Sequence, residues 1–177
     1  MANYYDSNKA TVANSKGFLL GDREQHFPSE GLYLGDLTGG NITLPALYDL
    51  SDGKGLCFLY NNEQTQRQAS ACLERLACRI ALTVPSNLCD LVLYNGGDPS
   101  DAFMAHSRMN KYIMGDRKER FFFDGNLSAF MELLNDTYAS VIERMSSIRC
   151  AGKRDLVELN ESLGNDARLK YQFIVLT

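Results

Sequence analysis

The chain has 177 residues, of which 45% are hydrophobic, and carries a formal net charge of -4 with pI near 5.2. That length suits about one domain of ~100–200 residues, with enough apolar side chains for a sizeable core. The negative balance removes the field that sequence-independent DNA binding relies on, leaving only local clusters such as Arg117-Lys118-Glu119-Arg120, so nucleic acid is not an expected partner.

Residues 1–30 are polar and weakly patterned and are expected to form a loosely held arm or short edge elements. An α/β domain should follow over 31–177. It opens with GLYLGDLTGGNITLPALYDL, in which two β-prone runs, 32–34 and 42–44, flank the turn Thr38-Gly39-Gly40-Asn41 and predict a β-hairpin. After the turn Asp52-Gly53-Lys54-Gly55, the run LCFLY at 56–60 is continuously apolar, as a strand covered on both faces would be. Over 63–84, Ala69, Cys72, Leu73, Leu76, Ala77, Ile80 and Val84 recur at three- and four-residue steps, which predicts an amphipathic helix ended by Pro85.

LCDLVLY at 88–94 predicts the next strand, closed by Asn95-Gly96-Gly97-Asp98-Pro99, whose composition favours a plain turn over a site-lining loop at the strand end. A helical segment around 101–114 and a short strand, Phe121-Phe122-Phe123, come next. The longest helix is expected over 127–148. Leu127, Met131, Leu134, Tyr138, Val141, Met145 and Ile148 alternate four- and three-residue steps, giving one apolar face that is expected to pack on a sheet. A shorter helix over 154–163 ends at Gly164, and YQFIVLT at 171–177 reads as a buried strand. Strands alternating with helices in this order predict a mainly parallel sheet flanked by helices on both faces. A buried strand ending the chain at Thr177 is read as the sign of a domain fragment.

No apolar run reaches the ~20 residues of a membrane span, and the opening MANYYDSNKATVANSK lacks the apolar centre of a signal peptide. The five cysteines, at 57, 72, 78, 89 and 150, form no CxxC pair and read as buried reduced thiols, while His26 and His106 lie far from them in sequence. A cytoplasmic protein with no metal site and no membrane association is expected. Asp101 with His106 suggests an acid–base pair only if the fold joins them, and no serine-nucleophile elbow is present.

From Leu56 to Gly96 the order of strand, loop, helix, proline and strand resembles the motor domains of the FtsK/SpoIIIE family, RecA-like P-loop ATPases that pump DNA or handle protein substrates. Laid without gaps, the family's GxxGxGK[ST] loop falls on Asn62, Glu63, Gln64, Thr65, Gln66, Arg67, Gln68 and Ala69. Asn62, Thr65 and Arg67 replace glycines, Gln68 replaces the phosphate-binding lysine, and Ala69 replaces the magnesium-binding hydroxyl. The family's I-D-P-K-like turn is also changed, to Leu93-Tyr94-Asn95-Gly96. Further on, Glu143-Arg144-Met145 and Arg154-Asp155-Leu156-Val157-Glu158-Leu159-Asn160 are similar to patterns that precede the family's Walker B strand, which would be 171–177 without its acidic pair.

The resemblance, over roughly 31–177, implies a three-layer RecA-like fold and a partial domain with a degenerate Walker A loop. A phosphate loop needs glycines for close backbone approach and a lysine charge, so these eight residues would keep a nucleotide site's position without its chemistry. The expected function is a catalytically silent, structural, regulatory or partner-docking domain of a larger translocase-like ATPase, with no cofactor. Its expected partners are other motor domains or further copies of itself. Two alternatives stay open: an ATP-binding motor using ATP-Mg through an atypical loop that includes Arg67, and a stand-alone α/β ligand-binding domain.

Overall fold

The computed structural model describes residues 31–50, 53–85, 87–96, 121–123 and 127–177. The arm expected over 1–30, the helical segment around 101–114, the basic cluster at 117–120, and His26, Asp101 and His106 lie outside the described residues.

The described residues form an α/β fold whose first element is a β-hairpin. Strands β1 (Leu32–Gly39) and β2 (Ile42–Tyr48) pair antiparallel with Gly39 opposite Ile42, so the loop is the two residues Gly40 and Asn41. A two-residue hairpin loop needs positive φ, and Gly40 supplies it at φ 58. The hairpin's tip is exposed, whereas Leu32 and Tyr33 at its base are buried.

Helix α1 (Glu63–Thr83) ends at Val84, just before Pro85. Its expected apolar residues face inward, but every residue from Leu76 to Thr83 is buried. The reason is that α1 has partners on two sides: Leu32 of the hairpin joins Leu76, Ala77, Ile80 and Val84 in the same core as the sheet.

That sheet, among the described residues, has three parallel strands in the order β4 (Phe121–Phe123), β3 (Cys89–Asn95), β5 (Tyr171–Leu176). Strand β3 alternates: Cys89, Leu91 and Leu93 join the α1 core, while Val92 packs with Phe130 on the opposite face. Phe130 belongs to α2 (Leu127–Cys150), and its ring stacks on that of Tyr94 with centroids 4.4 Å apart. Helix α3 (Leu156–Ser162) sends Leu156 and Val157 against the α1 core. A helix therefore lies on each face of the sheet.

Two expectations are corrected. Residues 56–60 form no strand; they run without regular structure, with Phe58 partly buried against the core and Leu59 91% exposed. A central strand needs hydrogen-bonding neighbours, and the described sheet offers this run none: a cleft separates Phe58 and Tyr60 from the end of β5. In α2, the stripe from Leu127 to Ile148 forms the buried face only in part, through Leu134. Phe130, Leu133 and Leu134 meet the sheet, leaving Leu127, Met131, Tyr138 and Met145 exposed. The stack of Phe130 on Tyr94 fixes this rotation, and only part of the helix's apolar arc packs against the sheet.

Candidate functional site

The cleft lies where α/β proteins usually place ligands, at the carboxyl ends of the strands. It encloses about 620 Å³ between Phe58 and Tyr60, the amino-terminal half of α1, and the ends of β3 and β5 at Asn95, Leu176 and Thr177. The stretch matched to a phosphate loop is at its rim, but it is helical. Asn62 is the N-cap of α1, and Glu63, Gln64, Thr65, Gln66, Arg67, Gln68 and Ala69 form the first two turns.

Local chemistry explains why this stretch winds into helix. The side-chain oxygen of Asn62 accepts the backbone N–H of Thr65 at 2.9 Å, and Thr65 Oγ1 in return accepts the backbone N–H of Asn62 at 3.2 Å. This reciprocal capping box satisfies donors that an anion at a helix start would otherwise take. Glu63 sits in the first turn, where its charge suits the positive end of the helix. Arg67 is bound to Glu63 at 2.5 Å, with both side chains exposed, so its charge is already matched.

The structure brings four of the eight residues, Glu63, Gln66, Arg67 and Ala69, to the cleft. Gln64 and Gln68 instead line a shallower depression of about 400 Å³ with Glu63, Arg67 and Ala71. Thr65 is engaged in the cap. Among the described residues no three His, Cys, Asp or Glu side chains gather to hold a metal ion, and no helix is long and apolar enough to cross a membrane.

One buried polar group lines the cleft from the end of β3. Asn95, expected in a turn, is the last residue of β3 and only 2% exposed; its Oδ1 accepts the hydroxyl of Thr177 at 3.0 Å. The backbone continues the link, with Gly96 N–H bonded to the Thr177 carbonyl and Thr177 N–H to the Tyr94 carbonyl, both at 3.0 Å. The only signal was an asparagine at the end of an apolar run, which a turn explains equally well.

The second matched segment performs structural work beneath β5. Arg144 donates to the carbonyl oxygen of Lys170 at 2.6 Å, just before the strand. Burial lowers the pKa of this guanidinium, opposed by the nearby carboxylates of Asp90 and Glu143. Asp155 caps α3 by accepting the N–H of Glu158, and the Glu158 carboxylate accepts the N–H of Arg154, each at 2.9 Å. That backbone bond, ahead of the Arg154 side chain, holds the Glu158 carboxyl below the usual range. Asn160, 2% exposed, accepts the N–H of Leu169 and donates to the Leu169 carbonyl, both at 2.8 Å.

The cysteines divide by environment. Cys78 and Cys89 are buried, with thiols pushed up to about 12 by burial, and Cys57 and Cys150 are exposed. The two raised thiols are inert as nucleophiles at neutral pH. Comparison with known proteins yields no match among family models, curated proteins or solved structures.

Proposed function

We propose that this chain is a catalytically silent domain of FtsK/SpoIIIE-like, RecA-type three-layer architecture, acting as a structural, regulatory or partner-docking element of a larger translocase-like ATPase in the cytoplasm. The observation that carries the silent reading is the start of α1. The N-terminal amide that a phosphate would engage is bonded to Asn62, and the only cation of the eight-residue stretch is paired with Glu63. The strand order supports the fold reading more loosely: β3, which follows α1, lies directly beside β5 in a parallel sheet. Other motor domains are its proposed partners. Duplex DNA is not, because the net charge of -4 gives no general attraction to phosphate.

The test is thermal unfolding of the purified chain in millimolar ATP-Mg. A ligand bound only by the folded state stabilises it by about 2.7 kcal/mol at a hundredfold excess over Kd, so true binding is easily seen. We expect no shift. A saturable shift that disappears in Arg67→Ala would replace this reading with a nucleotide-binding one.

A further inference from the structure

No further inference is drawn: the strongest candidate, the exposed apolar face of α2 formed by Leu127, Met131, Tyr138, Ile142 and Met145, carries none because nothing in the structure shows what covers it.

Discussion

Arg79 donates from Nη1 to the carbonyl oxygen of Tyr33, 46 residues upstream, at 2.7 Å, and its guanidinium lies 4.9 Å from the centroid of the Tyr33 ring. One buried cation thus fastens the hairpin to α1. Burial lowers the arginine's pKa, opposed by the Tyr33 phenol, but an arginine remains charged at any ordinary pH. Charge-assisted hydrogen bonds contribute about 1.5–3 kcal/mol and cation–π contacts about 0.5–2. Arg79→Ala is expected to cost about 3 kcal/mol in urea unfolding and to speed amide exchange in β1. A loss below about 1 kcal/mol would mean that apolar contacts alone hold the hairpin.

The buried thiols predict an alkaline weakness. Cys78 and Cys89 are pushed up to about 12 from an ordinary 9.0, burial being the main cause in both; Asp90 adds to the rise at Cys89. The unfolded chain ionises first, so their contribution is complete below pH 9 and is lost as pH rises toward 12. The slope reaches about 1.4 kcal/mol per pH unit for each thiol. The Tyr171 phenol, also raised chiefly by burial, acts in the same direction. Unfolding free energies across this window should fall, and the fall should be shallower in Cys89→Ala. Maleimide at neutral pH should label Cys57 and Cys150 well ahead of the buried pair.

Asn62 gives a test of what the start of α1 is for. If its side chain serves as a cap, Asn62→Ala should cost about 1 kcal/mol, and Asn62→Asp should largely retain stability because it keeps the acceptor. Neither variant should acquire affinity for ATP-Mg. Nucleotide binding gained on freeing the amide of Thr65 would show instead that the cap masks a working site.

Much of the fold was legible because local rules and tertiary packing agree there. Gly40 in a two-residue loop, Pro85 after an amphipathic run, and the largely apolar 88–94 run each specify their element within a few residues. The run at 56–60 was misread because apolar composition states a wish for burial, while a strand exists only where a neighbouring strand supplies hydrogen bonds. The α2 stripe failed differently. Apolar residues cover so wide an arc that spacing cannot say which part meets the sheet, and the contact of Phe130 with Tyr94 decides it. Of the candidate site, the position of the eight residues was legible from spacing, but the buried Asn95 was not, since its partner Thr177 is 82 residues away.

That rotation of α2 makes neighbouring residues unequal. Phe130 is 4% exposed and Met131 is 49% exposed. Phe130→Ala should destabilise by about 3–5 kcal/mol, through lost transfer energy and the cavity left against Val92 and Tyr94. Met131→Gln should stay within about 0.5 kcal/mol. Equal costs in denaturant unfolding would place the helix in a different rotation.

Asn160 should be the most sensitive polar position in the carboxyl-terminal region. Its amide makes a closed pair with the backbone of Leu169, and its own carbonyl accepts Arg168 Nε at 3.1 Å. These bonds tie α3 to the chain entering the sheet. Asn160→Ala removes the donor and the acceptor together and leaves the N–H and carbonyl of Leu169 without them, at about 1–3 kcal/mol for each group left unsatisfied. Asn160→Asp keeps the acceptor for the Leu169 N–H but sets a carboxylate against the Leu169 carbonyl. Its protonated form restores a donor, so Asn160→Asp should regain stability relative to wild type as pH falls through the carboxyl's pKa, a direction Asn160→Ala cannot reproduce. Unfolding curves for both variants at neutral and mildly acidic pH decide it. If the two lose stability equally at every pH, the paired hydrogen bonds are not what holds β5 in register.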